Sequence, residues 1–233
     1  PYRQPILAGR YVRYVGEPVA VVFATDPYYA EDAAGTVHID IEARSPHMIA
    51  TDDLAEFAPG IDTEPAIIEK GYGDLAAALA NASHIIELKL RIGRHSGVPL
   101  ETRGAIARYN DAIGRLELYG AAKVPHYNRN AIAEMLGLSR QGLELFEGHV
   151  GGGFGVRGEL YPEDVLVCLG ALRLGRAVKW IEDRREHLVA TNHSRDQVHR
   201  VRAGFDDRGF ILGLDDEFWS DQGAYVRTHG ATV

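Results

Sequence analysis

The sequence holds a single cysteine, Cys168, and that scarcity excludes an internal disulfide framework. It fits a reducing compartment, so the expected location is the cytoplasm. Cys168 lies in an apolar run over residues 165–169 and reads as a buried, inert thiol rather than a nucleophile. No apolar stretch approaches the roughly 18 to 20 residues needed to span a bilayer, and no signal peptide is visible. Positive charge is also short: 25 Lys and Arg stand against 33 Asp and Glu, for a net charge of −8. A nucleic-acid partner usually demands a basic face and is not expected. A Ser-His-Asp set, a CxxC pair, a GKS/T phosphate loop, an internal repeat and a low-complexity tract are all missing. His187, His193 and His199 recur every six residues, which matches neither a helical i,i+4 pair nor a zinc-finger spacing, so no metal site is expected there. An initiating methionine is absent too, and the tail over residues 228–233 carries no closing signal. The expectation is a piece of a longer polypeptide.

What the sequence has in abundance is glycine at one place. Gly151, Gly152, Gly153 and Gly155 crowd together after an apolar segment, and a helical-looking stretch follows from about Leu160. Glycine lacks a Cβ, so its backbone N–H can face a ligand unobstructed. A strand, a glycine turn and a helix N-terminus in succession form a ready anion site. Phe154 inside the turn is odd for a plain phosphate cradle and suggests a flat or bulky group to be shaped or shielded. Read literally, Gly153-x-Gly155-x-x-Gly158 also matches the GxGxxG of dinucleotide-binding folds, with Glu182 or Asp183 as the ribose ligand. A third reading is a bend that only lets a strand and a helix pack closely.

The rest of the chain reads as α+β. Residues 18–24 read as a buried strand; Asp26 and Pro27 open a helix over residues 28–34, which Gly35 ends; residues 36–41 alternate as a second strand. This predicts a compact βαβ unit, followed by a boundary in the proline-containing, acidic stretch 44–65. Asp74 caps a short helix to Ala82, and residues 84–92 alternate as a strand. Residues 105–109 with 116–119, and 197–205 with 210–219, flank turn signals and predict two hairpins. Helices are expected at 126–136 and from about Leu160 to Gly175, with strands at 143–146 and 177–181. Two hairpins sit poorly with a doubly wound parallel sheet. The charged run from Glu182 to His187 reads as a solvated, salt-bridged helix start. Residues 94–103 gather polar groups around Gly97 and Pro99 and read as a loop, where His95 could donate a hydrogen bond to a ligand oxo group or simply bond backbone.

Four segments together resemble one family: Val15-Gly16-Glu17-Pro18-Val19-Ala20-Val21-Val22, Pro99-Leu100-Glu101-Thr102, Gly151-Gly152-Gly153-Phe154-Gly155, and residues 174–184 with Val178-Lys179-Trp180-Ile181-Glu182-Asp183-Arg184. In order and spacing, from about residue 10 onward, they resemble the molybdenum-cofactor-binding large subunit of the xanthine dehydrogenase, aldehyde oxidase and aerobic carbon monoxide dehydrogenase family. The resemblance implies a partial α/β-hammerhead domain over residues 1–60 and the N-terminal part of the cofactor-binding domain over 61–233. It implies an oxidoreductase that hydroxylates an aldehyde, heterocycle or similar small molecule with water as oxygen source. A molybdenum-pterin cofactor, in its cytosine dinucleotide form, would serve it; FAD and iron–sulfur clusters would sit on partner subunits of a dimer of heterotrimers. Gly152, Gly153, Phe154 and Gly155 match the family loop beside the molybdenum, with Phe154 on the substrate side. His95 falls where many members carry a glutamine that donates to a molybdenum oxo ligand, and Gly158 where purine-oxidising members carry a glutamate, so purine oxidation is disfavoured. The family's catalytic glutamate and most pterin contacts have no counterpart within this chain. By itself the fragment is expected to be inactive and to hold no tightly bound cofactor.

Overall fold

The structure, a computed structural model, describes residues 1–227; the tail over residues 228–233 lies outside them. In chain order the elements are α1 (Pro27–Gly35), β1 (Glu56–Ala58), β2 (Ile61–Asp62), α2 (Leu75–Ala80), β3 (His84–Ser96), β4 (Gly104–Asn110), β5 (Arg115–Gly120), α3 (Pro125–Met135), β6 (Leu143–Phe146), α4 (Pro162–Leu174), β7 (Val178–Ile181), α5 (Arg184–Ala190), β8 (His193–Phe205) and β9 (Ile211–Ser220). Single 3₁₀ turns occupy Arg140–Gly142 and Val156–Gly158. The class is α+β. The chain divides into two compact units: residues 3–43 with 96–193, and residues 1–2 with 44–95 and 194 onward.

The first unit is built on a four-stranded sheet ordered β6-β5-β4-β7. The β4–β5 hairpin turns at Gly114, whose φ of +64° is the left-handed conformation that glycine adopts without steric cost. β6 joins β5 in parallel, while β7 joins β4 antiparallel, with Ala105 opposite Trp180. The core lies between this sheet and the helices: Ala107, Leu116 and Leu143 from the strands meet Ile132 of α3 and Cys168 and Ala171 of α4, all fully buried. Burial pushes the Cys168 thiol up to about 12, so it packs as a small apolar group. Cap chemistry follows the sequence. Asp26 accepts from the N–H of Tyr28 at the start of α1, and Gly175 (φ +61°) closes α4.

Residues 18–24 and 36–41, expected as strands of a βαβ unit, are not strands; of the three elements only α1 forms. A strand exists through a ladder partner for its backbone, and neither segment has one among the described residues. Residues 10–24 are instead held by packing. Gly16 (φ +99°) lies so close to α5 that a Cβ would sit 2.9 Å from the carbonyl oxygen of Val189, and the Phe23 ring lies against Gly170 of α4, where a Cβ would sit 2.5 Å from it.

The second unit contains the small β1–β2 hairpin and a three-stranded sheet ordered β3-β8-β9. α2, capped by Asp74, packs on it where Gly204 and Gly213 face each other across the β8–β9 ladder. A Cβ at Gly213 would lie 3.0 Å from Ala78 Cβ, so only glycine lets helix and sheet approach this closely.

Asp164, in the first turn of α4, carries a consequence for pH. Burial raises its carboxyl to about 6, against the pull of Arg103 and a hydrogen bond from the Tyr161 N–H. A carboxyl raised in the folded state binds a proton that the unfolded chain has released, so its penalty is complete above about 7 and is relieved as pH falls through about 6 toward 4. That penalty is on the order of 2 kcal/mol, allowing for solvent at its outer edge. Asp164→Asn is expected to raise the thermal midpoint at pH 7.5, and the gain should shrink as pH is lowered to 4.5. A gain independent of pH would show that charge at Asp164 is not its source.

Candidate functional site

The glycine run is positioned by the segment that follows β3. The Gly151 N–H donates to Glu101 Oε2 at 2.8 Å, and the Glu101 N–H donates to the Gly151 carbonyl at 3.2 Å. Arg157, only 4% exposed, sits under both. Its Nη2 donates to the carbonyls of Glu101 at 3.0 Å and Thr102 at 2.9 Å and to Glu101 Oε2 at 3.1 Å. The run then folds into the 3₁₀ turn, where the Val156 N–H donates to the Gly153 carbonyl at 2.9 Å. Tyr161 braces that turn by donating its hydroxyl to the Val156 carbonyl at 2.9 Å.

The glycines differ in what they permit. A Cβ at Gly151 would lie 2.5 Å from Glu101 Cβ, and one at Gly152 (φ +105°) would lie 3.1 Å from Pro99 Cβ. Those two are required by the chain's own packing. Gly155 is required by its φ of +90°. Gly153 is required by neither: a Cβ there would meet nothing nearer than Arg157 Cγ at 3.8 Å. Phe154, between them, is 76% exposed and holds a φ of +47°. Val98 holds +34°. Non-glycine residues in the left-handed region cost about 1–3 kcal/mol each, most for a β-branched side chain, and such strain collects at ligand sites. The two strained residues meet at Gly97, where a Cβ would lie 3.1 Å from the Phe154 carbonyl oxygen. An open groove of about 510 Å³ lies on the other side of the Glu101–Arg157 contact, with Glu101, Arg103, Phe146, His149 and Arg157 among its walls and none of residues 151–155.

The expected order of strand, glycine turn and helix N-terminus is corrected here. The run leads into the 3₁₀ turn, and α4 begins only at Pro162, its first turn closed by Tyr161 and Asp164. The dinucleotide-binding alternative also falls. It required a parallel sheet over residues 143–181, whereas β7 enters antiparallel through β4 and Gly158 lies within the 3₁₀ turn.

The structure brings Gly152, Gly153, Phe154 and Gly155 together in one loop, as their adjacency dictates; His95 belongs to the other unit. His95 is also not in a loop, because β3 continues to Ser96 before the chain leaves the sheet. Its Nδ1 lies 2.6 Å from the Gly93 carbonyl. A carbonyl only accepts, so the proton sits on Nδ1, and the neutral ring presents Nε2 as an acceptor.

Sequence reasoning missed a buried charge network in the first unit. Arg103, entering β4, meets Glu182, leaving β7: Nη2 and Nε donate to Glu182 Oε1 at 2.5 and 2.9 Å, and the Arg103 N–H donates to Oε2 at 3.0 Å. Nη1 reaches Glu163 at 3.1 Å, and the guanidinium stacks on the Tyr161 ring at 3.8 Å. His187 Nδ1 donates to Glu182 Oε2 at 2.8 Å. Glu182 is 2% and His187 0% exposed, so the expected solvated helix start is wrong for these two. Burial works to raise the Glu182 carboxyl, but the bonds and charge of Arg103 and the His187 bond hold it below the usual value. Burial likewise opposes the Arg103 cation, and Glu163 and Glu182 outweigh it. The signal available was Glu182 directly after the apolar strand 178–181, a place where a charge faces the core only with a partner.

A family model described as the molybdopterin cofactor-binding domain matches residues 61–233. The gamma subunit of the 6-hydroxypseudooxynicotine dehydrogenase complex of Paenarthrobacter nicotinovorans is 41% identical over 97% of this chain and 29% of its own length. The carbon monoxide dehydrogenase large chain of Hydrogenophaga pseudoflava is 30% identical over 94% of this chain and 30% of its own. Among solved structures, quinoline 2-oxidoreductase from Pseudomonas putida 86 superposes with a TM-score of 0.86 at 33% identity, over 97% of this chain and 29% of that one. The chain thus spans under a third of the length of these relatives.

Proposed function

The chain belongs to the molybdopterin cofactor-binding domain family of xanthine dehydrogenase, aldehyde oxidase and carbon monoxide dehydrogenase large chains, and from that premise we propose that it is part of a molybdenum hydroxylase large subunit acting on an aldehyde, heterocycle or similar small molecule. The quinoline and pseudooxynicotine names of its relatives favour a nitrogen heterocycle among these. The observation that carries the reading is Gly153. Gly155 also has room but a φ of +90°, whereas Gly153 combines room for a side chain with backbone that is not left-handed, so its bareness serves a group that approaches the backbone closely. The residues therefore fit a flat, anionic cofactor beside Gly152, Gly153, Phe154 and Gly155.

When bound, the molybdenum-pterin centre supplies two-electron oxidation of a substrate carbon with water as oxygen source. Gly153 and Gly155 offer backbone to it. The Phe154 ring, held outward by its strained backbone, makes an apolar wall that excludes water and orients a flat substrate. Glu101 and Arg157 fix the loop from beneath. On the same reading residues 1–60 are a partial hammerhead, the cofactor is the cytosine dinucleotide form, and flavin and iron–sulfur subunits complete a cytoplasmic dimer of heterotrimers. The subunit names of the relatives support partner subunits, and among the described residues no helix is long and apolar enough to cross a membrane.

The test is to express the full-length polypeptide in its native host and measure molybdenum and releasable pterin. Both are expected near one per chain. Neither present in a folded protein would overturn the reading.

A further inference from the structure

Four consecutive carbonyls after β3 are each taken by an arginine side chain. Arg184, the first residue of α5, donates from Nη2 to the carbonyls of Pro99 at 2.8 Å and Leu100 at 2.7 Å. Arg157 takes the next two, Glu101 and Thr102, at 3.0 and 2.9 Å. Loop carbonyls are ordinarily served by water or by backbone. A guanidinium differs from both: its planar set of donors fixes direction as well as distance.

The clamped segment bears directly on the glycine run. Pro99 is fully buried, and its Cβ would lie 3.1 Å from a Cβ placed on Gly152, as would the Phe154 ring. Val98 and Phe154 both occupy left-handed backbone, and such conformations persist only where surrounding structure over-determines them. Arg184 supplies part of that determination from outside both loops. Its Nη1 is buried without a hydrogen-bond partner, and departures of this kind from satisfied polar packing concentrate where function constrains a side chain.

We propose that Arg184 is a positioning residue, whose hold on the Pro99 and Leu100 carbonyls keeps Pro99 seated under Gly152 and so sets the direction in which the Phe154 ring and the Gly153 backbone face their ligand. The inference rests on the cofactor-and-substrate reading of this loop given above. Arg184 reaches the ligand only through Pro99 and Gly152.

The test uses the full-length polypeptide with Arg184→Lys, which keeps the charge but loses the planar fork. Amide exchange at Gly151, bonded to Glu101, and at Val156, bonded to Gly153, is expected to quicken roughly tenfold, while the amides of Cys168 and Ala171 in α4 stay unchanged. A 4-fluorophenylalanine placed at position 154 is expected to give one ¹⁹F line in the parent and several in the variant. Arg184→Gln, which keeps a planar NH₂ on a shorter stem without the charge, is expected to quicken the same amides and multiply the same line, and stands in should the lysine variant not fold. Unchanged exchange and an unchanged line, or quickening confined to the amides of α5, would overturn the proposal. Both measurements read the loop whether or not molybdenum is bound, so a full-length chain lacking the metal would refute the functional reading while the clamp was still decided.

Discussion

Gly153→Val in the full-length polypeptide is expected to lower bound molybdenum and releasable pterin at least tenfold while changing folding stability by less than about 1 kcal/mol. The expectation follows from the inequality among the glycines. At Gly151 a methyl group would press into Glu101 Cβ at 2.5 Å, so Gly151→Ala must move backbone and should disturb the loop itself. At Gly153 the nearest neighbour is Arg157 Cγ at 3.8 Å, an ordinary contact, and its backbone is not left-handed. The side chain added there enters space that this chain leaves open and that the cofactor would need. Elemental analysis together with thermal unfolding separates the possibilities. Metal retained at the parent level would mean that Gly153 faces no ligand. Metal lost together with folding would return the loop to a purely structural role.

The largest effect on stability is expected from Arg103→Met, at about 3–5 kcal/mol. Methionine fills much of the same volume, so the loss is electrostatic rather than a cavity. Glu182, fully buried, would keep its charge with only His187 beside it, and Glu163 would lose its partner. Desolvation that the guanidinium now offsets would then be uncompensated. The stacking of the guanidinium on Tyr161 at 3.8 Å and Trp180 at 5.1 Å would also go. Adding Glu182→Gln should recover a substantial part of the loss, because the second substitution removes the stranded charge. Denaturant unfolding of the two single variants and the double variant measures this directly. Simple additivity would show that the two buried side chains are not coupled.

Local chemistry was legible; long-range pairing was not. Asp26 and Asp74 announced their helices because an N-cap acts on N–H groups two or three residues away. The β8–β9 hairpin declared itself through the Asp206–Gly209 turn, where the Asp206 carboxylate accepts from the N–H groups of Arg208 and Phe210. Residues 18–24 carry strand-like composition, yet composition does not supply the neighbour that makes a strand. The same distance problem hid the site's supports. Glu182 looks like one member of a solvated run until Arg103, 79 positions earlier, is set against it. The glycines and Phe154 could be picked out from their own spacing, but Glu101, Arg157 and Arg184 serve them from three separate stretches, and no local pattern ties those together.

The sheet ordered β3-β8-β9 imposes a timetable on synthesis. β3 ends at Ser96, and the β8 strand it pairs with starts only at His193. At ribosomal speeds of about 5–20 residues per second, β3 waits roughly 5 to 20 s for its neighbour, while the segments that complete the other unit emerge first. Throughout that interval β3 has an unpaired edge, and Ile86, Leu88, Leu90 and Ile92 line one exposed face of it. A nascent chain in this condition presents an open strand edge to any other chain nearby, so pairing between copies competes with the late arrival of β8.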